Sequence, residues 1–415
     1  MSRIIFKENV LEKARQRVKT AFDDFPRIVV NFSGGKDSLV ILNLALEQAE
    51  QRDRQIALAF LDQEAEWDAT IVEIKRWMQH PRIIPYWCRV PFIMENSTST
   101  LSESGHYLIT YDPEKKDEWI HPYDSLAFHT FPQYINDRFD KMKAGVSDSG
   151  IEVCNGKRYP GFYLALSALT EVACDKQKSA IFNGMRANEA LGRVMMCTRK
   201  DYKNINGTHG GINQYSNQLV MNFSPIYDWK GSDVWKYIYD CKLPYNTLYD
   251  KLYQFGQHHR QMRVSSVCHE MALGSISILS EIEPDCWSRV QKRLVGTNSF
   301  KQAQLSYQCP HQFPSVFKSW KDYRDYLFEA LTPEDKKPAL AKILAHLNCF
   351  MGTEDELEAV RTQIRSILIC DLTGTYIKRF AGQHKTFQNF AKMGGIEQKI
   401  LEKSKAEGVS VVEGS

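Results

Sequence analysis

The chain has 415 residues, 43% of them apolar and 25% charged, with a net charge of +3. That length allows two or three domains with a sizeable core, and the balance is that of a soluble globular protein with no overall bias toward nucleic acid or membrane. Residues 1–10 carry no apolar signal region, and no apolar run is long enough to span a bilayer, so a cytoplasmic protein without a membrane partner is expected. Ten scattered cysteines form no C-x-x-C pair, and they read as reduced thiols acting as small hydrophobes.

Arg27 to Phe32 is an apolar run rich in β-branched residues, the pattern of a buried strand. Leu39, Leu42, Leu46 and Ala49 then recur at helical spacing, and Ile56 to Leu61 is strand-like again. Strand, helix and strand in so short a span form a βαβ unit, which implies an α/β fold with a parallel sheet flanked by helices. The alternation continues through a helix at Asp68–Met78, a strand at Arg82–Tyr86, a helix at Tyr159–Asp175 and a strand at Ser179–Asn183. Residues 95–150 have weak periodicity and read as an insertion in a nucleotide-binding α/β domain spanning 1–256. Residues 257–395 read as a mostly helical C-terminal domain. Thr332-Pro333 is an N-cap followed by proline at the first helical position, and Thr353 to Glu356 is a capping box. Residues 396–415 read as a loose tail.

Between the first strand and the first α/β helix lies Ser33-Gly34-Gly35-Lys36-Asp37-Ser38. The glycines permit a tight turn and let backbone N–H groups approach a phosphate, at the positive end of a helix expected to begin near Ser38. Ser33 and Ser38 offer hydroxyls and Lys36 a mobile cation, while Asp37 is suited to orient the loop or hold a magnesium ion. Neither the G-x-x-x-x-G-K-[ST] loop nor the G-x-G-x-x-G fingerprint occurs.

The hexapeptide resembles the signature of the adenine-nucleotide α-hydrolase-like ATP pyrophosphatases, or PP-loop proteins. Three further segments resemble the phosphoadenosine-phosphosulfate (PAPS) reductase branch. They are Phe60-Leu61-Asp62-Gln63-Glu64, the stretch from Gly184 through Arg186 and Glu189 to Arg193, and Pro225-Ile226-Tyr227-Asp228-Trp229 followed by Asp233-Val234-Trp235. Gln63 and Ala190 replace the threonine and serine usual at their positions. The resemblance implies an adenine nucleotide, ATP or PAPS, over the loop. Asp62, at a strand end, would accept hydrogen bonds from ribose or adenine, or hold a metal, with Glu64 and Glu66 weaker candidates. Arg186 and Arg193, seven apart, would fork a phosphate or sulfate with Glu189 between them. Asp228 and Asp233 read as helix caps, with ligand contact open.

Assimilatory PAPS reductases carry their thiol in an E-C-G-x-H segment, and none occurs here. Cys268-His269-Glu270 is the nearest chemical echo. Cys268 and His269 with Cys309 and His311 offer a weak zinc set. The long C-terminal region resembles the extended bacterial immunoglobulin-binding regulator A proteins, which implies a ParB-like partner. Two functions stay open. As an enzyme, the protein would cleave the α–β bond of ATP and adenylate an acceptor, with Lys36, Arg186 and Arg193 stabilising charge and Mg2+ shielding the triphosphate. As a regulator it would bind nucleotide without turnover and contact a partner or DNA, for which Lys378, Arg379, Lys385, Lys392 and Lys399, interleaved with Phe380, Phe387 and Phe390, offer a basic stretch within 376–399.

Overall fold

The structure is a computed structural model that describes residues 3–4, 9–99, 107–145, 149–189, 193, 208–212, 219–257, 262–268, 276–298, 313–374, 376–377, 380 and 411–412. The chain divides into two compact units. One comprises Met1–Phe92, Tyr123–Ser265 and Gln388–Ser415, the other Ile93–Pro122 and Ser266–Phe387.

The first unit is built on a sheet whose strands, in chain order, are β1 (Arg27–Asn31), β2 (Ile56–Leu61), β3 (Ile83–Cys88), β4 (Ala127–Phe128), β5 (Ser179–Phe182), β6 (Thr208–Ile212) and β7 (Leu219–Phe223). Their spatial order is β6-β7-β5-β1-β2-β3-β4. Six strands are parallel, and β6 runs antiparallel to β7 at one edge. The parallel α/β class expected from the alternation is the one observed. The chain runs from β1 outward through β2, β3 and β4, then returns to place β5 on the other side of β1. The order of strands therefore reverses between β1 and β5, and a crevice opens there at their carboxyl ends.

The helices of this unit are α1 (Val10–Asp24), α2 (Lys36–Gln51), α3 (Asp68–Met78), α4 (Gln133–Lys141), α5 (Phe162–Cys174), α6 (Gly231–Asp240) and α7 (Leu248–Gln254). Ala14, Val18 and Phe22 of α1, Leu39 and Leu42 of α2, and Val234 and Ile238 of α6 share one apolar cluster with Ile28, Val30, Leu58 and Phe182 of the sheet. Each fully buried Leu or Ile there contributes about 1.5–3 kcal/mol. That anchorage holds the loop between β1 and α2 in a fixed frame.

In the second unit, helices α8 (Ile276–Ile282), α9 (Pro284–Arg293), α10 (Trp320–Leu331), α11 (Lys337–Ala345) and α12 (Glu356–Leu368) confirm the helical reading of the C-terminal region. Two helix starts differ from the sequence expectation. Thr332 ends α10 rather than starting a helix, because a turn in which Lys336 N–H bonds the Pro333 carbonyl intervenes before α11. The start of α12 is likewise shifted: its N-cap is Asp355, while the Thr353 hydroxyl donates back to the Phe350 carbonyl at 2.7 Å. On α12, Val360, Ile364 and Ile367 are buried as their spacing predicts, whereas Leu357 is exposed. Almost all of the basic stretch 376–399, together with His269, Glu270, Cys309, His311 and nearly all of the tail, lies outside the described residues. No helix among the described residues is long and apolar enough to cross a membrane.

Asp228 ties α1 to the segment that follows β7. Both of its oxygens accept from Arg17, at 2.8 and 2.7 Å, and Arg17 also donates to the Pro225 carbonyl at 2.7 Å. The pair is buried on both sides, so removing one partner strands a charge away from water. Asp228→Ala is therefore expected to lower the unfolding free energy by about 3–5 kcal/mol in a urea titration, and adding Arg17→Met to recover a large part of it. A loss below about 1 kcal/mol, the range of an exposed pair, would contradict this placement.

Candidate functional site

α2 begins at Lys36, two residues before the expected start, with Gly35 as its N-cap. Lys36, Asp37 and Ser38 therefore supply the first-turn amides, whose N–H groups have no partner within the helix. The two glycines have different reasons to be there. Gly34 takes a left-handed backbone, φ +69°, which disfavours any side chain. Gly35 is extended, and a Cβ there would meet the Ser33 and Tyr249 hydroxyls and Val264 at 3.3–3.4 Å. The turn is closed internally, since Ser38 Oγ donates to the Gly35 carbonyl at 2.9 Å and lies 3.1 Å from Ser33 Oγ. It is also braced from outside. The buried Asn246 amide donates to Thr70 Oγ1 at 3.0 Å and to the Gly34 carbonyl at 3.4 Å.

The segment after β5 comes against this turn. A Cβ on Gly184 would lie 2.9 Å from Ser38 N and 3.0 Å from the Asp37 carbonyl carbon, so only glycine lets the two backbones approach this closely. Two residues on, Arg186 Nε donates to Asp37 Oδ1 at 2.5 Å, and Arg186 Nη2 donates to Glu189 Oε1 at 2.9 Å. Glu189 Oε2 accepts from Arg193, and Asp37 Oδ2 accepts from Lys36 Nζ at 2.9 Å. Three cations thus share two carboxylates. Both Asp37 oxygens thus accept from cations of the site, which ties the side chain to Lys36 and Arg186. Residues 187–189 form a single 3-10 turn, and 190–192 lie outside the described residues.

These elements enclose a cavity of about 1090 Å3 at the β1–β5 crevice. Ser33, Gly35, Lys36, Asp37, Ser38, Arg186, Glu189 and Arg193 line it, as does the start of α6, Lys230 to Ser232. Two helix N-termini therefore open onto one cavity, each with its positive dipole end, and five cationic side chains against two acids suit it to a polyanion.

Five predicted acids stand elsewhere. Asp62 is fully buried and does not line the cavity. Its Oδ2 accepts from Arg89 Nε at 2.8 Å and from the Trp87 indole at 2.9 Å, and its Oδ1 accepts from the Glu64 backbone N–H at 2.9 Å. The carboxylate is spent on holding the end of β2 to the end of β3. Glu64 is buried with a left-handed backbone, and Glu66 is buried with its carboxyl pushed well up by loss of water and by the nearby Asp62 charge. Asp228 is the partner of Arg17. Asp233 caps α6, accepting from the Lys230 N–H at 2.7 Å. Cys268, the nearest thiol echo, is buried in the second unit with its sulfur 3.1 Å from Ser266 Oγ.

Other residues of the cavity escaped the sequence reading. Asn31 and Asn183, at the ends of β1 and β5, are joined by a 2.8 Å side-chain hydrogen bond. The Tyr249 hydroxyl accepts from the Lys36 N–H at 3.1 Å, and burial pushes that hydroxyl up from its ordinary pKa while Lys36 partly offsets the effect. Lys230 and Arg263 complete the lining. Nothing in the sequence places Tyr249 against a loop more than two hundred residues away.

The fold and the cavity define a parallel α/β protein with a glycine-rich strand-turn-helix and a cation-lined cavity at the switch point of its sheet. Within it, residues 158–255 match the phosphoadenosine phosphosulfate reductase domain. That stretch contains Gly184, Arg186, Glu189 and Lys230 but not the loop itself. The chain is 27% identical over 296 residues to the uncharacterized protein YbdN of Escherichia coli (strain K12), a match spanning 70% of this chain and 66% of that protein. Among solved structures it is similar to a phosphoadenylyl-sulfate (PAPS) reductase from Candida auris in a phosphate complex. There the identity is 14%, the TM-score 0.31, and the coverage 64% of this chain and 98% of that one.

The close approach at Gly184 yields a sharp test. Gly184→Ala puts a methyl group into backbone atoms of the first turn of α2, so the turn must shift. Affinity for ATP measured by calorimetry is expected to fall about tenfold or more, the equivalent of one charge-assisted hydrogen bond. Gly145→Ala, with nothing within 4 Å of the new carbon, serves as the control and is expected to bind as the parent does. Equal affinities in both variants would mean that the turn does not hold the ligand.

Proposed function

We propose that the protein binds an adenine nucleotide with its phosphate end over residues 33–38 and cleaves the α–β phosphoanhydride of ATP. The observation that carries this reading is the convergence of two helix N-termini and five cationic side chains on one cavity at the β1–β5 switch point. In the reaction, a nucleophilic oxygen of the acceptor attacks the α-phosphorus. The bond to the bridging oxygen breaks, and its electron pair leaves with pyrophosphate, so the acceptor becomes adenylated. Charge accumulates on the departing pyrophosphate. Lys36 and Arg186, held in place by Asp37 before any ligand arrives, would stabilise it without reorganising, which is the most effective form of electrostatic catalysis. Arg193, fixed through Glu189, would contribute at the outer edge.

A second reading takes a sulfonucleotide as the ligand, and the match of residues 158–255 to the PAPS reductase domain favours it. Phosphosulfate and pyrophosphate are both anionic tails suited to a cation-lined cavity, so the same cavity would serve either.

Incubation with ATP and magnesium, followed by nucleotide chromatography and a pyrophosphate assay, separates these possibilities. The expected products are AMP, or an adenylated acceptor, and pyrophosphate in equal amounts. Lys36→Ala is expected to weaken ATP binding about tenfold or more, since a hydrogen bond to a charged group contributes about 1.5–3 kcal/mol. Sulfite released from PAPS with a thiol donor would instead select the sulfonucleotide reading. Tight ATP binding without turnover would select a nucleotide-gated regulator, for which a ParB-like protein or DNA is the proposed partner. Unchanged ATP affinity in a folded Lys36→Ala protein removes the loop from the site altogether.

A further inference from the structure

The cations that look most like ligand anchors in the sequence are already paired with acids before any ligand arrives. Lys36, Arg186 and Arg193 share Asp37 and Glu189, and each oxygen of those two carboxylates accepts from one of them. Three positive charges against two negative ones leave a single excess charge, locked into a network whose geometry is set before a ligand binds. The cavity's remaining cations are Lys230 and Arg263. Neither has an acidic partner among the described residues, and both side chains are exposed to the cavity. Two of the three excess positive charges in the lining therefore sit on these two residues.

Their backbones are fixed although their side chains are not. Met262 and Val264, on either side of Arg263, are buried. The Val264 carbonyl accepts from Thr70 Oγ1 at 3.3 Å, and its methyl group stands 3.4 Å from where a Gly35 Cβ would be. Arg263 thus springs from a segment pinned against the loop. Lys230 springs from the N-cap of α6, its N–H held by Asp233 and the preceding Trp229 buried. Long cationic stems on fixed bases can close on an anion without moving the fold.

We propose that Lys230 and Arg263 are the residues that determine specificity for the ligand's charge, by binding the distal anionic groups of the nucleotide tail. The loop amides would then hold the phosphate common to every adenine nucleotide, and the Asp37–Glu189 network would shape the cavity. Lys230 and Arg263 would distinguish a tri- or diphosphate tail from a monophosphate. This rests on the nucleotide reading above and assigns its selectivity to two residues that no motif marks.

The test is calorimetry with ATP and with AMP on the full chain and on Lys230→Ala, Arg263→Ala, the double variant and Lys36→Ala. Each single alanine variant is expected to weaken ATP about tenfold and AMP by less than about twofold, so that the preference for ATP collapses in the double variant. Both side chains are exposed, so the thermal midpoint should stay within a few degrees, a range that marks small stability changes. ATP affinity unchanged in the double variant, or ATP and AMP affinities falling together, overturns the assignment. If that happens while Lys36→Ala still weakens ATP about tenfold or more, the nucleotide site stands and only its selectivity lies elsewhere. If Lys36→Ala binds ATP like the parent, the site itself is wrong.

Discussion

A carboxylate at the first turn of a helix, Asp37, accepts hydrogen bonds from Lys36 on its own turn and from Arg186 of a segment 149 residues later. The rest of the site follows from that arrangement. It requires α2 to begin at Lys36, so that Asp37 points across the crevice rather than out to solvent. It also requires the chain after β5 to pass within van der Waals contact of the loop, which only glycine at 184 allows. Arg186 is then buried, and burial of a guanidinium is tolerated because Asp37 and Glu189 take two of its nitrogens. Without Asp37, Lys36 and Arg186 would face each other as like charges in a partly enclosed cavity. With it, they are held ready at a position where further negative charge is welcome.

The same logic explains why acids that look like nucleotide contacts do not line the cavity. Asp62 and Asp228 end or follow strands, where ligand-binding carboxylates are often found. Each is instead taken by an arginine, Arg89 for Asp62 and Arg17 for Asp228, in a buried pair. These pairs join β2 to β3 and α1 to the segment after β7, and so set the frame that carries the loop. A carboxylate withdrawn from water and bonded to an arginine gains little from a ribose hydroxyl if making that bond costs it the arginine.

Much of the fold was legible because it depends on local pattern. The β1 run, the helical spacing of Leu39, Leu42 and Leu46, and the α3 face are short-range signals, and the structure reproduces them closely. The loop was legible for the same reason, since two glycines between a strand and a helix have few other uses. The fates of Asp62 and Asp228 were hidden because their partners lie 27 and 211 residues away in the chain. Tyr249, Lys230 and Arg263 were hidden because pairing across the crevice depends on where β5 returns beside β1, and strand order cannot be read from periodicity. Gly184 was visible as part of a motif, but its reason, a close approach to Ser38, exists only in three dimensions. The early start of α2 was hidden by Gly35, which can extend a turn or cap a helix with equal ease.

The proposed function puts the anionic end of an adenine nucleotide on the first turn of α2, at the β1–β5 crevice. A crystal structure of the full chain grown with a non-hydrolysable ATP analogue tests it most directly. Phosphate oxygens are expected within hydrogen-bond distance of the Lys36, Asp37 and Ser38 amides, with the Lys36 N–H transferred from Tyr249 to the ligand. A nucleotide bound away from this crevice, or one bound here with its adenine over the loop and its phosphates toward solvent, would contradict it.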